Sequence, residues 1–139
     1  MYKLALYLTS AFFIFILWVI YMADTGQSSV FFDFVNAIPQ GDKMGHVGLF
    51  GLLTLGANLG LRFKRIKVGR VNIFSGTVLV SIFALLEEFS QYFAPTRTLD
   101  FLDLCADAIG ITLFTVISYY LGKKHLILKA NGSLLRQMD

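Results

Sequence analysis

Cysteine is almost missing from this sequence: Cys105 stands alone inside an apolar run. An intrachain disulfide is thereby excluded, and the side chain reads as a small packing residue. Charge is also scarce. Only 15% of the 139 residues are charged, against roughly a quarter in soluble domains. Histidine is limited to His46 and His125, which removes the chemistries that need several imidazoles on one face. No basic face of a folded soluble surface is visible either, so a nucleic-acid role is not expected.

Hydrophobicity is abundant. Apolar residues make up 56% of the chain and mean hydropathy is +0.67. A helix crosses the hydrocarbon core with about 20 mainly apolar residues, and four stretches qualify: 4–22, 44–61, 71–93 and 101–122. The expected fold is all-α, an integral membrane bundle of four transmembrane helices forming one domain over 1–139. The first stretch reads as a retained helix rather than a signal peptide. It is longer than the usual apolar region of about 7–15 residues, and Ala23-Asp24-Thr25 offers no small-x-small cleavage site.

Orientation follows from the basic residues. Lys3, five residues in loop 62–70 (Arg62, Lys64, Arg65, Lys67, Arg70) and Lys123, Lys124, Lys129 and Arg136 in the tail would share one side. Lys43 and Arg97 would lie on the other, so ten of twelve are inside when both termini are cytoplasmic. The expected topology is N-in, C-in, and the basic excess then meets anionic headgroups. In the first loop, Ser28-Ser29 could cap a short interfacial helix over 30–38 that Pro39 would stop. Gly45, Gly48, Gly51, Gly56 and Gly60 mark the second helix as the closely packed centre of the bundle.

With that topology the polar residues converge. Asp42, Lys43 and His46 open the second helix. Glu87, Glu88 and Gln91 close the third, Arg97 sits in the turn, and Asp100, Asp103 and Asp107 open the fourth. Spacings of three or four residues put Glu88 with Gln91, Asp103 with Asp107, and Asp42 with His46 on shared faces. A rise of about 1.5 Å per residue places Glu88 and Asp107 some 5–10 Å below the outer boundary, the depth of a shallow pocket rather than a channel. Intramembrane acids are costly, and natural sequences rarely carry several without a partner or purpose. A purely structural account is available: Arg97 bridging Glu88 and Asp103, with Asp42 and Asp100 capping helices. It does not cover His46, Glu88, Gln91 and Asp107 together.

The pattern Asp42-Lys43-x-x-His46, Glu88-x-x-Gln91 and Arg97-x5-Asp103-x3-Asp107-x2-Gly110 resembles that of VanZ-like membrane proteins. The likeness covers helices two to four, and the family usually has Asn where this chain has Asp107. It implies a multi-pass protein of the bacterial inner membrane, with the founding member associated with resistance to teicoplanin, a lipid-bearing glycopeptide. Relatives occur in cell-envelope polysaccharide settings as well. The binding set carried by these positions is Lys43, His46, Glu88, Gln91, Arg97, Asp103 and Asp107, and the expected partner is a membrane lipid or lipid-linked glycoconjugate. Acids and amides suit sugar hydroxyls, and aromatic residues such as Tyr92 and Phe93 suit acyl chains or sugar faces.

Catalysis is the alternative, with Glu88 as general acid or base. His46, Glu88, Asp103 and Asp107 could instead hold a divalent cation such as Mg, Mn or Zn. Known motif sets do not fit. Phosphatidic-acid phosphatases need paired Arg and His motifs. Glutamyl intramembrane proteases need Arg where Tyr92 stands. A rhomboid-type Ser needs a glycine missing before Phe74-Ser75-Gly76.

Overall fold

The computed structural model describes residues 2–26, 35, 37–93 and 100–135, with side chains of the last helix to Lys124. The described chain is mostly helical. Helix α1 spans Tyr2–Asp24, α2 Gly41–Gly60, α3 Ser75–Ser90 and α4 Phe101–Leu135. A 3-10 turn, Gln91–Phe93, extends α3. Most of the segment expected as an interfacial helix, 30–38, lies outside the described residues.

Among the described residues, two helices are long and apolar enough to cross a membrane: Tyr2–Asp24, and the first 24 residues of α4, Phe101–Lys124. Helix α1 is apolar around its whole circumference. Ile16 and Val19 are its only buried residues, while Leu4, Tyr7, Leu8 and Ile14 are each more than 60% exposed. So much exposed apolar surface on one helix needs a non-aqueous neighbour, which weakly supports a membrane location.

Helix α2 is the hub, packed against α1, α3 and α4. The core collects at mid-height, where Ile16, Phe50, Leu53, Val80, Ala84 and Ile111 form one buried cluster. Phe83 seals it, its ring 5.0 Å from Phe13 and 5.7 Å from Phe50. Small residues permit this closeness. A Cβ on Gly110 would run into the Val47 carbonyl, and one on Gly76 would lie 2.6 Å from the Asn58 backbone nitrogen. On α2 itself Gly51, Gly56 and Gly60 face Phe114, Thr9 and Leu6, whereas Gly45 and Gly48 have no close neighbour among the described residues. The tightest backbone approaches are therefore set by glycines of α3 and α4 as well as by those of α2.

The expectation of an all-helical chain needs one correction. Residues 62–70 are not a plain loop, and α3 does not begin at residue 71. Arg65–Val68 (β1) and Val71–Phe74 (β2) form an antiparallel hairpin with Ile66 opposite Ile73 and Val68 opposite Val71. β-Branched residues at alternating positions suit strands, and Gly69, at φ 61°, supplies the positive φ of a two-residue turn. Ser75 then closes the base, its backbone N–H donating to the Lys64 carbonyl at 2.9 Å. Helix α4 also runs beyond Gly122, the end of its expected apolar stretch, to Leu135.

Candidate functional site

Eight polar side chains meet where α2 and α4 begin and α3 ends. Helical period brings them together: Lys43 and His46 on α2, Glu87 and Glu88 on α3, and Asp103 and Asp107 on α4, with Gln91 and Asp100 in the flanking turns. Asp100 caps α4, its Oδ1 accepting the Leu102 N–H at 2.9 Å. The cap of α2 is not Asp42. Gln40 occupies that position in a left-handed conformation without a side-chain bond, and Asp42 lies in the first turn.

Lys43 is the cationic centre. Its Nζ donates to Asp100 at 2.7 Å and to Asp103, and pairs with Asp42 at 3.1 Å. Three carboxylates thus match the three donors of one ammonium. Partial burial works against the charge on Lys43, but the bonds to Asp100, Asp103 and Asp42 win and hold its pKa above the ordinary lysine range. The same bond from Lys43 holds Asp42 below the usual carboxylate range. Asp100 is lowered by Lys43 and then by the Leu102 N–H.

Deeper in, His46 Nδ1 donates to Asp107 Oδ1 at 2.9 Å, and Nε2 is 3.8 Å from Asp103 Oδ2. The imidazole stacks on Phe50 with ring centres 5.9 Å apart. On the α3 side, Gln91 Nε2 donates to Glu87 at 3.1 Å and to Glu88 at 3.2 Å. The other Glu88 oxygen accepts the Asp100 N–H at 2.9 Å, tying α3 to the start of α4. One connected network results, running Glu87, Gln91, Glu88, Asp100, Lys43, Asp103, His46, Asp107.

Arg97 lies outside the described residues. Among those described, the cation joining Asp103 to the Glu88 side is Lys43 from α2. Within this network, Gln91 Oε1 and Asp107 Oδ2 have no hydrogen-bond partner among the described residues. Gln91 is 1% exposed and Asp107 not at all. Both orphans are oxygens that call for a donor, a hydroxyl or an ammonium. Among the described residues, no three His, Cys, Asp or Glu side chains are arranged to hold a metal ion. His46, Glu88, Asp103 and Asp107 are engaged in ion pairs and hydrogen bonds. The hydroxyl next to the network, Ser90, donates to the Glu87 carbonyl at 2.6 Å rather than to a base.

A second polar cluster escapes a search directed at titratable residues. At the opposite end of the bundle, Asn58 of α2 donates to Thr77 at 3.0 Å and to Ser118 at 3.1 Å. Its Oδ1 accepts the Thr77 N–H at 3.0 Å, and the Thr77 and Thr115 hydroxyls are 2.9 Å apart. Ser118 completes the set by donating to the Phe114 carbonyl at 2.8 Å. The sequence signal was available: Asn58 is four residues after Thr54, so the two polar side chains share one face of an otherwise apolar stretch of α2. Comparison with family models, curated proteins and solved structures finds no match to this chain.

Proposed function

We propose that this chain is a four-span, VanZ-like protein of the bacterial inner membrane with both termini inside. Its acidic pocket at the outer end recognises the hydroxyl- or amine-bearing head of a lipid-linked or surface glycoconjugate or amphiphile. The observation that carries the reading is the pair of buried orphan acceptors, Asp107 Oδ2 and Gln91 Oε1. An unmet buried acceptor costs about 1–3 kcal/mol, and a ligand donor would recover that energy.

Further features favour an amphiphile. Phe89, Tyr92, Phe93 and Phe101 are each more than 60% exposed at the same end of the bundle, where aromatic rings suit both acyl chains and sugar faces. The four-span arrangement is supported by length. The 20 residues of α2 reach about 30 Å, and the 16 of α3 about 24 Å before its 3-10 turn adds roughly 6 Å.

The test is binding of teicoplanin and its deacylated form to the full chain in nanodiscs. Binding of the acylated form that is lost in Asp107→Leu supports the reading. Absence of binding by teicoplanin and by a polyprenyl-linked saccharide, with the protein folded, would return the cluster to a role in holding helices together.

One feature favours a second reading, an intramembrane acid–base enzyme acting on a lipid-linked substrate. His46 is oriented by the buried Asp107 at 2.9 Å, as a general base must be. Glu88 is less suited to proton transfer, since its two oxygens accept from Asp100 and Gln91. Release of a cleaved head group from a polyprenyl-linked saccharide, abolished by His46→Ala, would decide for this reading.

A further inference from the structure

The hairpin at the other end of the bundle belongs to neither polar cluster, and its two faces differ sharply. Alternation along paired strands places Ile66, Val68, Val71 and Ile73 on one face, with Arg65, Lys67, Asn72 and Phe74 on the other. The second face meets the helices at its base, while Lys67 and Asn72 near the turn are exposed. Phe74 is 4% exposed, its ring 6.0 Å from Phe63 and 4.7 Å from the Arg65 guanidinium. The first face is largely uncovered among the described residues: Ile66, Val68 and Val71 are 38%, 48% and 60% exposed, and Ile73 is partly buried. An isolated two-stranded hairpin with an uncovered β-branched face is marginal in water, and among the described residues this one has no third strand.

Position and charge say what covers it. Arg62 lies over the Tyr2 ring at 5.5 Å and Arg65 near the Tyr119 ring at 5.4 Å. The hairpin base is therefore level with the start of α1 and the far part of the apolar stretch of α4, the depth of a membrane interface. Lys64, Lys67 and Arg70 are exposed around its rim. An apolar face rimmed by lysine and arginine at interface depth fits acyl chains below and anionic headgroups around. Open strand edges cannot be satisfied in hydrocarbon, which keeps the element in the interface plane.

We propose that the Arg65–Phe74 hairpin is a membrane-docking element that lays its Ile66/Val68/Val71/Ile73 face onto anionic phospholipid of the adjacent leaflet. It holds whatever ligand the acidic pocket takes.

The experiment uses the full chain in nanodiscs with Cys105→Ser, labelled with an environment-sensitive fluorophore at Val68→Cys, Val71→Cys or Lys67→Cys. In phosphatidylglycerol-containing discs, labels at 68 and 71 should shift to the blue and lose quenching by aqueous iodide, while the label at 67 stays wet. Replacing Lys64, Lys67 and Arg70 by Glu should remove the dependence on phosphatidylglycerol while helical content is unchanged. Iodide quenching at 68 and 71 equal to that at 67 would overturn the proposal. So would dry labels that ignore lipid charge and depend on the number of chains per disc, since the occupant would then be a second copy.

Discussion

The bundle holds two buried polar clusters built from the same three helices, and they are finished differently. At one end Asn58, Thr77, Thr115 and Ser118 are uncharged and meet one another's donors and acceptors. At the other end Asp103, Asp107, Glu87 and Glu88 crowd round Lys43 and His46, and Asp107 Oδ2 and Gln91 Oε1 have no partner among the described residues. Between them lies a layer of apolar side chains, among them Phe50, Val80, Ala84 and Ile111. The neutral cluster does what interhelical hydrogen bonds do in membranes, which is to fix rotation and register. The acidic one carries more charge than that task requires. Under the proposed function, those acceptors are where a ligand's donor would bind.

The sharpest way to break the comparison is a matched pair of substitutions. Asn58→Leu should lower stability by about 2 kcal/mol, between the ~0.6 kcal/mol average of interhelical bonds in a membrane protein and the ~1–3 kcal/mol of a buried orphan. Ligand affinity should not change. Asp107→Leu should do the reverse: stability is kept or raised, while affinity falls roughly 10–100-fold, the value of about 1.5–3 kcal/mol for a hydrogen bond to a charged group. Thermal unfolding and teicoplanin binding on both variants check the pair. Equal effects of both on both readouts would show that the clusters are one structural unit.

A smaller effect is expected from Glu88→Gln. Its new amide would put donor against donor at Gln91, whose Nε2 already points there, and Gln91 Oε1 would have to turn. Affinity should drop about tenfold, roughly 1.4 kcal/mol. Unaltered binding would remove Gln91 Oε1 from the site.

Acid titration sharpens the contrast further. Asp42 and Asp100 have pKa values below the ordinary 3.8 in the folded chain. Their contribution to stability is therefore present above that value and lost as pH falls through the lowered one. The Lys43 pKa is raised by the same bonds, so its share is complete below the usual lysine range and is lost only in strong alkali. Unfolding temperature followed from pH 7 to about 2 should show an acid step that Lys43→Met flattens and Asn58→Leu leaves intact. An acid step of full size in Lys43→Met would detach these carboxylates from Lys43.

Asp107→Asn should be the mildest change, a few-fold in affinity. The imidazole of His46 can switch tautomer and accept from the amide, leaving the amide oxygen where Asp107 Oδ2 stood. A loss as large as that of Asp107→Leu would mean that the charge itself is recognised.

Much of the acidic site was legible because helix geometry is local. Three- and four-residue spacings put Glu88 with Gln91 and Asp103 with Asp107 on single faces, and short connections force α3 and α4 to return to one end. The partner of the acids was not legible. Lys43 and Asp103 are 60 positions apart, and which cation reaches which acid depends on how α2 is rotated against α4. The hairpin was hidden for another reason. Ile66, Val68, Val71 and Ile73 alternate as strands do, but the last two also begin a long apolar run that a hydropathy window reads as helix.

What the sequence by itself determined is therefore one-dimensional: apolar run lengths, the gathering of basic residues on alternate segments, and the faces on which acids and amides fall. Those depend on composition and a fixed helical period. Only the tertiary structure decided which side chains are satisfied. It paired Lys43 with three carboxylates, completed Asn58 with hydroxyls from two other helices, and left Asp107 Oδ2 and Gln91 Oε1 without donors among the described residues. Satisfaction of a buried polar atom is a matter of tenths of an ångström between helices, set by close approaches such as Gly110 on Val47 and Gly76 on Asn58.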